Sequence, residues 1–171
     1  MPDVFSKAKR SAVMARIRST GNRDTELRLI AIFRAHGIAE WRRGATIRGR
    51  MSDDRGQRSD VRRQTPEARG QKTKFSVKPD FVFPKLRLAV FVDGCFWHGC
   101  PRHFIKPRNN AAFWRKKIAA NQARDHLVTR TLRKLGWKVM RIWEHELSKR
   151  NEAKLLKRVL AVRHRGHRDP T

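Results

Sequence analysis

Twelve consecutive residues, Val92-Asp93-Gly94-Cys95-Phe96-Trp97-His98-Gly99-Cys100-Pro101-Arg102-His103, hold a carboxylate, two thiols, two imidazoles and two aromatic rings. Upstream, Lys78-Pro79-Asp80-Phe81-Val82-Phe83 sets another carboxylate at the start of an apolar run. Any fold of this chain has to bring that chemistry to one place. Metal-dependent cleavage, zinc binding and insertion into a base stack are all compatible with the residue types.

The segments around the run give the frame. From Asp24, Leu27, Ile30, Ala31 and Phe33 recur at helical spacing until Gly37, with Asp24 or Thr25 as N-cap and Glu26 in the first turn. Val77–Phe83 and Leu86–Val92 read as a hairpin turned at Pro84-Lys85. A helix is expected over Ala111–Leu135, carried by Phe113, Trp114, Ile118, Leu127, Val128, Leu132 and Leu135 and stopped by Gly136. Trp137–Trp143 alternates as a third strand, and Glu146–Val162 reads as a basic helix. Helix, strand pair, helix, strand, helix predicts an α/β fold with a mixed central β-sheet flanked by helices. Residues 1–22 form a basic N-terminal arm, 23–162 one domain and 163–171 a polar tail. Residues 50–77 read as a charged insertion, with almost nothing to bury between Met51 and Lys74, and are expected to be mobile.

Charge narrows the partner. Against 15 Asp and Glu stand 42 Lys and Arg, a formal net charge of +27 spread along the chain. Such a domain repels itself unless a polyanion offsets the field, which points to nucleic acid. No segment offers the amphipathic face that a membrane surface needs, and none is long and apolar enough to span one. The N-terminus lacks a secretory pattern, so a cytoplasmic, reduced protein is expected and the cysteines read as thiols or ligands.

The hairpin sets up a carboxylate pair. If Pro84–Arg87 is the turn, Asp80 falls opposite Val92–Asp93, where directly paired residues lie about 4.5–5.5 Å apart. Two carboxylates that close call for a cation, and Mg²⁺ suits such oxygen ligands and a phosphodiester substrate. His98 is placed to accept a proton from an attacking water, since an imidazole titrates near neutrality. The thiols of Cys95 and Cys100, with His103, form one side of a zinc site, and His145 is the candidate fourth ligand. His98 is the rival for that place, and as a zinc ligand it would not be free to act as a base.

Pro79-Asp80-Phe81, the run Asp93–Pro101, Phe113-Trp114 with Lys117-Ile118, Arg124-Asp125, Gly136-Trp137 and Trp143-Glu144 together resemble the very-short-patch-repair (Vsr) DNA mismatch endonucleases. Arg10-Ser11 with Met14, and Asp24-Thr25-Glu26, are similar to that family's start. The resemblance covers most of residues 3–160 apart from the insertion. It implies a restriction-endonuclease-like fold with a structural zinc and Mg²⁺-dependent nicking of duplex DNA beside a T·G mismatch of the kind left by 5-methylcytosine deamination. It implies Asp80 as the principal magnesium ligand, joined by the Val92 carbonyl, while the pairing argument adds Asp93. His98 would be the base, with Glu26 near it and Asp125 assisting proton transfer. Phe96, Trp97 and Trp114 would wedge into the base stack, where a mispair is cheapest to open. Lys117 and Arg10 would contact DNA, the arm clamping the duplex. A monomer in a bacterial cytoplasm is implied, acting at the nucleoid, with a functional link to a DNA cytosine-5 methyltransferase and to general mismatch-repair proteins. Val92-Asp93 stands where some members have Thr-His, and His145 where some have cysteine. Two other readings suit the same residues: a defence nuclease of this fold without mismatch specificity, and a non-catalytic, zinc-stabilised DNA-binding protein.

Overall fold

The computed structural model describes residues 23–51 and 73–164. The arm with Arg10 and Met14, the middle of the insertion and the end of the tail lie outside the described residues. A π-helical turn, Arg23–Leu27, leads into helix α1, Arg28–Ala35. It is followed by strands β1 (Arg42–Arg43), β2 (Ile47–Met51), β3 (Thr73–Val77), β4 (Phe81–Phe83) and β5 (Leu88–Asp93). Helix α2 (Ala111–Lys134), strand β6 (Lys138–Trp143) and helix α3 (Glu152–His164) complete the domain.

The central sheet runs β1-β4-β5-β6. β4 and β5 are antiparallel, whereas β5 and β6 are parallel, so α2 is the crossover that parallel pairing requires. The mixed sheet flanked by helices is the architecture the segment order predicted. β5 is apolar along nearly its whole length because both of its faces are covered. On one face Phe81, Phe83, Val90, Met140 and Ile142 pack against Leu29, Phe33, Leu155 and Val159 of α1 and α3. On the other, Val82 and Ala89 meet Leu132 of α2 and Ile47 of β2.

Several elements differ from the periodicity. The strand expected over Val77–Phe83 is interrupted at Lys78-Pro79-Asp80, because buried Pro79 has no N–H to give a ladder. The ends of the supposed insertion are ordered: β2 and β3 form an antiparallel ribbon from Ile47↔Val77 to Met51↔Thr73. Alternating Phe75 and Val77 hold it against the α2-side core, a short apolar signal hidden by the charged residues beside it. The last helix starts at Glu152, not Glu146, because 3-10 turns at Glu144–Leu147 and Lys149–Asn151 come first. The carboxylate of Glu146 accepts the Trp143 N–H at 2.8 Å, and Asn151 Nδ2 donates to the His145 carbonyl at 2.9 Å, fixing that turn. Neither Asp24 nor Thr25 caps α1, which is entered through the π-turn from Leu27. Phe113 and Leu127, two of the apolar positions that carry α2, are 59% and 58% exposed. Among the described residues no helix is long and apolar enough to cross a membrane.

Candidate active site

The functional side chains gather at the C-terminal end of β5, on the loop after it, and on the facing side of α2. The loop is tied down from several directions. Cys100 N–H bonds the Cys95 carbonyl at 2.9 Å, while Asn121 Nδ2 and Gln122 Nε2 of α2 donate to the Trp97 and His98 carbonyls. Gly99 sits at φ +63, and a Cβ there would lie 2.6 Å from Gln122 Nε2 and 2.9 Å from Ile118 Cγ2. Only glycine lets the loop press this closely on the helix.

Cys95, Cys100, His103 and His145 bring one donor atom each within 4.8 Å of one another. Cys95 Sγ lies 3.2 Å from His145 Nδ1, and Cys100 Sγ lies 3.8 Å from His103 Nδ1. The His145 arm of the cluster comes from the 3-10 turn that follows β6, which explains why α3 begins late. Burial pushes the Cys95 thiol up to about 11, and burial followed by the nearby His103 lowers the His145 pKa. With the Cys95 thiol reluctant to ionise and the His145 imidazole favoured in its neutral form, a soft cation is the group that would convert this set into four good ligands. Two sulfurs and two imidazole nitrogens fit zinc. His98 lies outside this cluster.

Asp80 is half-buried where the β3–β4 path breaks. Its Oδ2 accepts the backbone N–H of Val92 at 2.7 Å. The β4–β5 ladder pairs Phe81 with Val90, so one further step would bring Asp80 level with Phe91, a residue short of the register expected from the turn. The Asp80 carboxyl is pushed up to about 6, chiefly by burial, with the Val92 N–H opposing and the fields of Glu26 and Asp93 adding to the rise. Both of those neighbours hold an arginine: Arg43 donates to Glu26 Oε2 at 3.0 and 2.6 Å, and Arg141 forks onto both oxygens of Asp93. Among the described residues no arginine hydrogen-bonds Asp80. A half-buried carboxylate between two others, with only the field of Arg141 to offset them, fits a hard divalent ion. Asp93, expected to share that ion, instead spends both oxygens on Arg141.

His98 sits on the α2 side. Its Nδ1 lies 2.5 Å from Asp125 Oδ2 and 3.7 Å from Asp93 Oδ1. Nε2 has no hydrogen bond among the described residues. With Asp125 accepting from Nδ1–H, the lone pair is left on Nε2, where a proton can be taken.

Phe96, Trp97 and Trp114 form a half-buried aromatic cluster with centroid separations of 5.3, 5.0 and 5.8 Å. Phe104 and exposed Phe113 extend it. None of the three belongs to the buried core on either face of the sheet. Lys117 is exposed on the same helix as Trp114, one turn on.

Two residues were not singled out in the sequence, Arg141 and Arg43, and Glu144, quoted there only within the resemblance, acquires a contact: its Oε2 accepts the Cys95 N–H at 3.1 Å. Arg141 had no signal that the chain alone makes legible. It falls between Val139 and Trp143 on one face of an alternating strand, a face that turns out to meet α2, and a charge on an interior face needs a partner.

The family model described as "DNA mismatch endonuclease Vsr" matches residues 62–103. The chain is 50% identical over 70 residues to the type II nicking enzyme V.NaeI of Lentzea aerocolonigenes, covering 41% of this chain and 42% of that relative. It is 32% identical over 155 residues to the DNA mismatch endonuclease Vsr of Escherichia coli, covering 89% of this chain and 80% of that one. It is 33% identical over 150 residues to the type II nicking enzyme V.NmeAIP of Neisseria meningitidis, covering 86% and 85%. The match to V.NaeI thus spans less than half of that enzyme, whereas the other two extend over most of both chains.

Proposed function

The chain belongs to the Vsr family of DNA mismatch endonucleases, and from that premise we propose that it nicks one strand of duplex DNA beside a T·G mismatch. The observation that carries this reading is the Asp80 carboxylate, which among the described residues no arginine hydrogen-bonds, together with a His98–Asp125 pair and an aromatic cluster that lies outside the core. A T·G pair is what deamination of 5-methylcytosine leaves. The substrate therefore arises where a DNA cytosine-5 methyltransferase has acted, and the nick hands the duplex to general mismatch-repair proteins. The enzyme acts as a monomer at the bacterial nucleoid.

In this reading Asp80 and the Val92 carbonyl hold Mg²⁺, which supplies charge stabilisation at the phosphodiester undergoing cleavage. The Val92 N–H fixes the orientation of Asp80, and Glu26 adds negative field while staying on Arg43. His98 Nε2 takes the proton of the attacking water, and Asp125 holds the ring through Nδ1. Phe96, Trp97 and Trp114 enter the stack at the mispair, which unstacks at least cost. Lys117 and the arm with Arg10 contact phosphates, and the +27 charge makes binding strongly salt-dependent. Cys95, Cys100, His103 and His145 hold a structural zinc that shapes the loop carrying His98 and the wedge.

The test is incubation of the protein and Mg²⁺ with end-labelled duplexes holding one T·G pair or the matched T·A pair, resolved on a denaturing gel. A single nick in the T strand of the mismatched duplex alone is the expected product. Equal nicking of both duplexes would favour a nicking enzyme without mismatch specificity. Binding without any nick at any enzyme excess would mark a non-catalytic DNA-binding relative.

A further inference from the structure

Asp93, His98 and Asp125 bring a donor atom each within 4.8 Å of one another, a constellation that could hold a cation. The fold has already put one there. Arg141, on the neighbouring parallel strand, reaches across with Nε at 2.6 Å from Asp93 Oδ2 and Nη2 at 2.5 Å from Asp93 Oδ1. The same Nη2 lies 3.0 Å from Asp125 Oδ1, and Asp125 passes the contact on through Oδ2 to His98 Nδ1. The guanidinium lies over the Phe91 ring, 5.1 Å from its centroid, so its plane is set from below as well as from its edge. Arg141 pairs directly with Phe91 in the β5–β6 register, which makes this placement a consequence of the sheet.

We propose that Arg141 is a positioning residue for the nicking reaction, a resident side-chain cation that holds Asp125 and through it the ring of His98. The inference rests on the reading of His98 as the proton acceptor. Asp93 is 3% exposed and lies 3.7 Å from His98 Nδ1. Without the guanidinium it would be an unpaired buried charge and a rival to Asp125 for the imidazole N–H. With it, Asp93 is fully occupied, Asp125 is fixed, and neither is free to turn toward a divalent ion at Asp80. Burial works against the charge of Arg141, but its bonds to Asp93 and the field of Asp125 more than offset this, so the cation is a permanent part of the site. The two-pronged contact to Asp93 with a third bond to Asp125 uses the planar fork, which a lysine cannot reproduce.

The experiment compares wild type, Arg141→Gln, Arg141→Lys and the double variant Asp93→Asn/Arg141→Gln, which removes the buried Asp93 charge together with its partner. Single-turnover nicking of the T·G duplex at saturating protein is measured beside DNA affinity and thermal stability. Nitrogen-15 histidine labelling follows the Nδ1–H signal of His98 in DNA-free protein. The expected result for Arg141→Gln is a nicking rate ten to a hundred times lower with DNA affinity within about threefold, and displacement of the His98 Nδ1–H signal. Arg141→Lys recovers the rate only in part, and the double variant recovers stability but not rate. Wild-type rate in folded Arg141→Gln, or full recovery of rate in the double variant, overturns the proposal. If wild type itself nicks neither duplex, the endonuclease reading fails separately. The His98 signal then still decides the positioning: unchanged in Arg141→Gln, it overturns the inference.

Discussion

The backbone N–H of Val92 donates to Asp80 Oδ2 at 2.7 Å, joining a carboxylate at a break in one strand path to the C-terminal end of β5. That single bond aims Asp80 at the end of β5, where the loop with His98 begins. Glu26 and Asp93 both lie near enough to raise its pKa, and both are held by arginines. Asp80 is thus the carboxylate of the three left to take a cation from outside the chain.

Asp80→Asn keeps the shape and can still accept the Val92 N–H through its amide oxygen, but it cannot carry the charge. Nicking of the T·G duplex should fall below detection while DNA affinity stays within a few-fold of wild type, measured by gel assay and fluorescence anisotropy. Retained nicking in Asp80→Asn would remove Asp80 from the reaction.

The same burial predicts a pH dependence in the metal-free protein. The Asp80 carboxyl moves from an ordinary 3.8 to about 6 in the native state. Between those values the native state binds the proton more tightly than the unfolded chain. Its contribution to stability is therefore whole below about pH 4 and is lost as pH rises through 6, a difference of up to ~3 kcal/mol. Metal-free Asp80→Asn should then be more stable than wild type at pH 7.5, with the gap closing toward pH 4, in urea titrations. Added Mg²⁺ should narrow the gap at pH 7.5, because an ion held by the ionised carboxylate stabilises wild type selectively.

The order of strands and helices was legible because β5, α2 and β6 each carry a strong pattern: a continuous apolar run, a long helical period and a clean alternation. The four-donor cluster was legible too, since cysteines and histidines at short spacing announce themselves in the chain. Arg141 was not. Alternation assigns a strand arginine to solvent, and only the parallel pairing of β5 with β6 shows that its face meets Asp93 and Asp125. The ribbon of β2 and β3 was missed for a related reason: Phe75 and Val77 sit at the edge of a segment whose composition reads as solvated. The register of Asp80 was off by one because buried Pro79 and the break beside it replace a ladder with a side-chain bond.

The aromatic cluster predicts discrimination and not merely affinity. A base stacked on an aromatic ring is worth about 1–3 kcal/mol, so Trp97→Ala should lower kcat/KM on the T·G duplex roughly tenfold or more. The preference for the mismatched over the matched duplex should shrink with it, because the wedge is what senses ease of unstacking. A 2-aminopurine beside the mispair should brighten on binding wild type and stay dim with Trp97→Ala. Equal brightening by both would show that these rings do not enter the stack.

Gly99 links the wedge to α2. An alanine there would combine a left-handed backbone at φ +63 with contacts of 2.6 Å to Gln122 Nε2 and 2.9 Å to Ile118 Cγ2. Gly99→Ala should cost about 1–3 kcal/mol of stability and lower nicking more than DNA binding, since the loop it displaces carries both Trp97 and His98. A melting temperature and nicking rate equal to wild type would mean that the loop can retreat from the helix without consequence.

The zinc assignment separates the two histidines of the twelve-residue run. His103 shares the donor cluster with the thiols, whereas His98 lies with Asp93 and Asp125. Metal analysis of the purified protein should find about one zinc per chain. His145→Ala and Cys95→Ala should lower that content and the melting temperature together, because a structural ion contributes its binding free energy to folding. His98→Ala should keep the zinc and the melting temperature while lowering the nicking rate by about 10²–10⁴-fold. Zinc affinity should weaken as pH falls, since a Cys95 thiol pushed up to about 11 in the metal-free protein must give up its proton to bind. Loss of zinc in His98→Ala with full retention in His145→Ala would exchange the two roles and leave the reaction without its proposed base.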